Sequence, residues 1–222
     1  MNYQFDFTPV IQGLPLLLWG CAGTLGLAFA GLILSSLIGG VGVALRGSSH
    51  AAVRWAVITF VEIIRNTPFL VQIYFVFFAL PLVGIRLDPT PTAIIALGVN
   101  GGAYAIEILR GGVQAIDKGQ LEAGHALGLS KLQVFRLIVF KPALRAVFPS
   151  LTGQFILLTL TTSIASAISA YELTSVAQRI ESESFRSFEV YGTVTFLYLT
   201  MSTIILMGLG ALARRMFSYP VK

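Results

Sequence analysis

Three groups of polar side chains stand in an otherwise apolar chain, and their spacing gives each group a shared helical face. Glu62, Arg65 and Gln72 recur at steps of three and seven. Asn100, Tyr104, Glu107 and Gly111 recur at steps of four, three and four. Thr162 and Ser163 belong to a hydroxyl-rich stretch in which Thr159, Ser163 and Ser166 share a face. These residue types suit recognition of a zwitterion. A carboxylate beside a phenol and an amide, as at Glu107, can receive an ammonium group. Hydroxyls and nearby backbone N–H groups can meet a carboxylate. Each group also has a structural reading. Glu62 and Arg65 can pair and lock two helices together, Glu107 can pair with Arg110, and small hydroxyl residues favour close helix packing. Bond-making chemistry is not expected. Cys21 is the only cysteine and His50 and His125 are the only histidines. The chain contains neither a His-Glu-x-x-His pair nor a Gly-x-x-x-x-Gly-Lys-Ser/Thr phosphate loop.

The elements that must hold these residues are set by composition. Of 222 residues, 55% are hydrophobic and 11% charged, against about 25% charged in an ordinary soluble domain. Too few charges remain to cover a soluble surface, so a multi-pass membrane protein in contact with lipid is expected. Five apolar stretches are long enough to span, at about 17–45, 55–80, 92–110, 144–170 and 190–213. The expected fold is all-α, one transmembrane domain over 1–222. Eleven of the fifteen lysines and arginines fall on one side if the N-terminus is outside and the C-terminus cytoplasmic. Arg86, Arg179 and Arg186 fall outside, and Arg65 lies within a span. The net charge of +5 is thus assigned to topology rather than to a nucleic-acid partner. No basic residue precedes Arg46, so a cleaved signal peptide is not expected. A charge near the middle of a span costs ~2.5–3.5 kcal/mol on the insertion scale. Pro68 removes a backbone hydrogen bond to Ile64 and disfavours helix at Thr67. The second span is therefore expected to break beside its polar residues, as membrane proteins do where they form polar cavities.

The segment 111–143 is expected to be a patterned cytoplasmic loop. Gly119–Leu127 reads as a short helix, with Gly128 placed to end it in a left-handed conformation. Ser130 and Gln133 have the spacing of a capping box, and Leu132, Phe135 and Val139 follow at helical spacing. The expectation is two short helices with a glycine corner. They form either a simple connector or a docking element.

The run Glu122-Ala123-Gly124, three further residues, Gly128, nine residues and Ile138 resembles the cytoplasmic loop of permease subunits of bacterial ABC importers. Two other stretches resemble the polar amino acid branch of that family. They are Glu62 to Gln72, containing Arg65-Asn66-Thr67-Pro68, and Ala103-Tyr104 to Gly111, containing Glu107 and Arg110. The likeness extends from the first span to about Glu172. It departs at Gly124, where the family has alanine, and at Phe140-Lys141-Pro142, where Leu-Pro-Gln is usual. It departs again around Gly153 and Thr161-Thr162-Ser163, where the branch often carries an asparagine and a lysine before Thr-Ser.

The resemblance implies a type I importer fold in the bacterial inner membrane. It implies a second permease chain, two ATP-binding subunits and an external solute-binding protein. The chain would itself bind no cofactor, ATP being held by the partner subunits. It implies that Glu122, Ala123, Gly124, His125 and Gly128 dock an ATPase subunit. It also implies that Glu62, Arg65, Gln72, Asn100, Tyr104, Glu107, Thr162 and Ser163 lie on the path of a polar amino acid. The rival expectation is an ion-coupled secondary transporter or channel subunit, which would carry an inverted repeat and need no docking loop. An intramembrane enzyme is a further rival, without a recognisable nucleophile and base.

Overall fold

The computed structural model describes residues 3–217, so Lys222, counted above among the cytoplasmic cations, lies outside the described residues. The described residues are helical, with α1 at Thr8–Arg46, α2 at Ala51–Arg65, α3 at Phe69–Ala79 and α4 at Pro89–Gln114. They continue with α5 at Lys118–Ala126, α6 at Lys131–Val134, α7 at Phe140–Thr161, α8 at Leu173–Ser184 and α9 at Ser187–Met216.

Among the described residues, α1, α4, the continuous stretch 131–168 and α9 are long and apolar enough to cross a membrane. The second expected span is broken. The helix α2 and the segment Phe69–Val83 meet at 108°. Pro68 lies at the corner, so its missing N–H and the restriction on Thr67 end one helix and start the next. Counting that bent pair as one span restores the expected five.

The helices α1 and α4 run parallel, and small residues let them approach closely. A Cβ at Gly102 would lie 2.5 Å from the Ile38 side chain. One at Gly42 would lie 2.3 Å from that of Ile106. Each helix thus receives the other's large residues where it has none of its own. Helix α7 returns antiparallel, with Leu158 beside Gly101 and Val147 beside Gly112. Leu27, Ile73, Leu97, Leu158 and Ile168 from four of these elements form the central core. Helix α9 keeps almost all its apolar surface outside the bundle, as a lipid-facing helix does.

At the end of the bundle opposite the 111–143 loop, α8 lies along the first turns of α1. Its N-cap is Glu172, whose carboxylate accepts from the backbone N–H groups of Thr174 at 2.8 Å and Ser175 at 2.6 Å. The Tyr198 hydroxyl of α9 donates to the same carboxylate at 2.8 Å, and the Thr24 hydroxyl of α1 at 3.5 Å. Three helices are joined through one buried acid.

The loop follows its expected chemistry with one difference. Helix α5 is capped by Asp117, and Gly128 follows it with φ +75°. The Ser130–Gln133 capping box forms in both directions, at 2.8 and 3.4 Å. The second loop helix does not stay separate, however. It passes through a widened π-turn at Phe135–Val139 straight into α7, with the Phe140 N–H reaching the Phe135 carbonyl. Phe140-Lys141-Pro142, where the family usually has Leu-Pro-Gln, follows this turn without a helix break, because a π-bulge accommodates the proline's missing N–H without ending the helix.

Candidate functional site

The bend between α2 and α3 builds one side of a cavity. Proline at position 68 leaves the Ile64 carbonyl without its helical donor. The Gln72 side-chain amide takes that place, donating to Ile64 O at 2.7 Å and to Thr67 Oγ1 at 2.8 Å. The Gln72 Oε1 accepts from Asn100 Nδ2 at 2.8 Å, which ties the bend to α4. Gln72 therefore splints the broken span, while the other side of Asn100 faces open space.

That space is a cavity of about 260 Å³ between α3, α4 and α7. Its polar lining is Thr67, Asn100, Tyr104, Gln154 and Thr161. Phe69, Leu97 and Ile164 contribute to its apolar wall. The Arg65 guanidinium sits beside it, 5.2 Å from the centroid of the Tyr104 ring, within cation–π range.

The expected Glu62–Arg65 pair is not formed. Glu62 accepts from Asn66 Nδ2 at 3.0 Å, and Arg65 turns to Tyr104. Asn66 lies one helical turn beyond Glu62 at the end of α2, so its amide reaches the carboxylate first. A double-mutant cycle of Glu62→Gln and Arg65→Gln, read by thermal unfolding in detergent, should be additive within about 0.5 kcal/mol. A coupling of 1 kcal/mol or more would restore the pair.

Glu107, grouped above with Tyr104, is held away from the cavity lining. Its Oε2 accepts from Arg110 Nε at 3.0 Å and Nη2 at 2.6 Å, and its Oε1 is bonded to Arg46 at the end of α1. The pairing with Arg110 follows from their spacing. Arg46 is distant in sequence and reaches Glu107 because α1 and α4 end together.

Thr162 and Ser163 are also absent from the cavity lining. Thr162 is buried and donates to Thr159 O at 2.7 Å, and Ser163 donates to Leu160 O at 2.8 Å. Ser166 repeats the pattern onto Ser163 O. These back-bonds accompany a tightening of the chain into a 3₁₀-helix at Thr162–Ile168. Thr161, the last residue of α7 before this tightening, lines the cavity, and its two successors do not. Gln154, two helical turns lower on the same face, joins it. Neither Gln154 nor Thr161 stood out by residue type, and the only signal was their spacing of seven, two turns of helix.

In the loop, Glu122, Ala123, His125 and Gly128 are exposed. Gly124 faces inward. A Cβ there would lie 2.5 Å from Ile138 Cδ1 and 3.3 Å from Val134 Cγ2. Gly124 therefore lets α5 rest on the root of α7. Val134, Val139 and Ala143 are buried there, with Leu121 and Leu129 packed against them.

A four- to five-span bundle with a propped, outward-facing loop helix and an uncharged polar cavity is the architecture of a transport subunit. The chain belongs to the family of binding-protein-dependent transport system inner membrane components, whose model matches residues 31–218. That is a family of transport components, so the chain is a multi-pass membrane transport subunit rather than an enzyme. It is 36% identical over 215 residues to the glutamine transport system permease protein of Escherichia coli, covering 96% of this chain and 98% of that protein. It is 32% identical to the L-cystine transport system permease protein of Bacillus subtilis, covering 99% of this chain and 92% of that one. Among solved structures, an amino acid ABC transporter crystallised with histidines superposes with a TM-score of 0.89 at 30% identity, covering 96% and 100% of the two chains. An inward-facing methionine ABC transporter superposes at 0.77 and 23% identity, a likeness of fold.

Proposed function

We propose that this chain forms one half of the translocation path of an ATP-driven importer for a polar amino acid. A second permease chain, identical or homologous, supplies the other half. The N-terminus is outside and the loop 111–143 is cytoplasmic. Two ATP-binding subunits dock on the loops, and a solute-binding protein delivers substrate to the opposite end. The observation that carries the reading is the loop helix α5, whose root is packed into the bundle at Gly124 while Glu122, Ala123 and His125 face outward. Movement of a partner bound there is transmitted to α7 without a flexible joint. The cavity at Asn100, Tyr104, Gln154 and Thr161 is part of the substrate path. Exposed Glu62 and Arg65 suit the water-filled side of the path, since charged groups at membrane depth face water or a partner.

Purification of the chain with its bound subunits, followed by uptake of amino acids into proteoliposomes, tests this reading. Copurification of an ATPase and ATP-dependent uptake are expected. Uptake driven by an ion gradient without ATP would favour the secondary-transporter alternative.

Gly128→Val tests the docking role within that system. A Cβ at Gly128 meets nothing within 4 Å, so the substitution acts through the left-handed backbone alone. The cost is about 1–2 kcal/mol, enough to lower ATPase association and uptake by about tenfold. Gly128→Asn, which tolerates that conformation, should retain most of both. Full ATPase association and uptake in Gly128→Val would remove α5 as the dock.

A further inference from the structure

The cavity between α3, α4 and α7 offers free hydrogen-bonding capacity of both kinds and no charge. Among the described residues, the Gln154 amide and the Tyr104 hydroxyl have no hydrogen-bond partner. Asn100 spends an N–H on Gln72 and keeps its carbonyl oxygen. Thr161 spends its proton on Leu157 O at 2.7 Å and keeps its lone pairs. Donors thus come from Gln154 and Tyr104, and acceptors from Asn100, Thr161 and Gln154. Among the described residues, no aspartate, glutamate, lysine or arginine lines the cavity. Glu107 is bound between Arg46 and Arg110, and Glu62 accepts from Asn66. Among the described residues, Arg65 lies beside the Tyr104 ring and makes no ion pair.

We infer that this cavity receives the uncharged, hydrogen-bonding side chain of the amino acid, a carboxamide or a hydroxyl, while Arg65 beside Tyr104 meets its α-carboxylate. The inference rests on the reading of the cavity as part of the substrate path. A carboxamide carries two donors and one acceptor, which the free groups here can all meet. A guanidinium or ammonium side chain would leave water for a site whose lining holds no carboxylate, and a carboxylate side chain would compete with the α-carboxylate for Arg65; buried charge without a partner is heavily disfavoured. The volume of about 260 Å³ lies below the ~300–1,000 Å³ of pockets for drug-sized ligands, and suits an amino acid.

The test is equilibrium binding of radiolabelled L-glutamine, L-arginine and L-glutamate to the detergent-purified permease–ATPase complex. The solute-binding protein is left out, because its own selectivity would mask that of the cavity. L-glutamine should bind about tenfold or more tightly than either charged amino acid. Gln154→Glu should move the preference toward L-arginine by a similar factor of about ten. Arg65→Gln should weaken binding of all three. The wild-type comparison needs no variant to fold. If wild type binds L-arginine or L-glutamate as tightly as L-glutamine, and Gln154→Leu removes that binding, the cavity is on the path and the uncharged class is wrong. If none of the three binds, or if Gln154→Leu and Thr161→Val leave all binding unchanged, the reading of the cavity as substrate path falls.

Discussion

Glu172→Ala is expected to cost about 3 kcal/mol or more and to release α8 from the bundle. The carboxylate caps α8, accepts from Tyr198 and approaches Thr24, and it is fully buried. Removing it leaves two backbone N–H groups unpaired and the Tyr198 hydroxyl with Thr174 Oγ1, at 3.0 Å, as its remaining partner. Each unpaired N–H carries a desolvation penalty of about 1–3 kcal/mol. Thermal unfolding in detergent should fall by several degrees, and the amides of Thr174 and Ser175 should lose protection from hydrogen exchange. Unchanged protection at those two amides would show that α8 is held by its apolar face alone.

The same group gives a pH signature. Burial pushes the Glu172 carboxyl above the usual carboxylate range, against the downward pull of the Thr174 and Ser175 N–H groups and of Tyr198. The folded state therefore holds a proton that the unfolded state releases. Its stability contribution is present below the ordinary carboxylate pKa and is lost as pH rises through the raised one. Glu172→Gln does not titrate. The stability advantage of wild type over Glu172→Gln should shrink as pH rises from about 4.5. An advantage that grows with pH would mean that the capped N–H groups outweigh burial.

The second large effect is expected at Glu107. Both carboxylate oxygens are used, one by Arg46 of α1 and one by Arg110 of α4. Glu107→Ala leaves two arginines facing each other without a counter-ion at the joined ends of those helices. The side chains are 24% and 36% exposed, so water offsets part of the loss, and about 2 kcal/mol is expected. The double variant Arg46→Met with Glu107→Leu should be more stable than Glu107→Ala, since it removes one of the two stranded arginines and leaves Arg110 with Gln114 Oε1 alone. If the double variant is the less stable, the pair contributes net stability of its own. Substrate preference should be unchanged in Glu107→Gln wherever the protein folds, because the carboxylate does not line the cavity.

Features with a local cause could be read directly from the sequence. The apolar runs, the Ser130–Gln133 capping box, the left-handed Gly128 and the corner at Pro68 each depend on residues within one or two turns. Backbone sterics and caps act over that range, so residue type and spacing carry them. The family motifs in α2, α4 and the loop identified the kind of protein in the same way.

What the tertiary structure decided was which polar groups meet. Glu62 and Arg65 have the spacing of an ion pair, yet Asn66 takes the carboxylate and the Tyr104 ring takes the guanidinium. Arg46 reaches Glu107 only because the glycines of α1 and α4 bring two parallel helices into close contact. Thr161 and Gln154 face the cavity from one face of the regular part of α7, whereas the 3₁₀ stretch that begins at Thr162 sets Thr162 and Ser163 on the carbonyls of Thr159 and Leu160. Periodicity assigns residues to a face of an ideal helix. It does not say where the helix changes pitch, nor which distant face packs against it, and those two choices form the cavity.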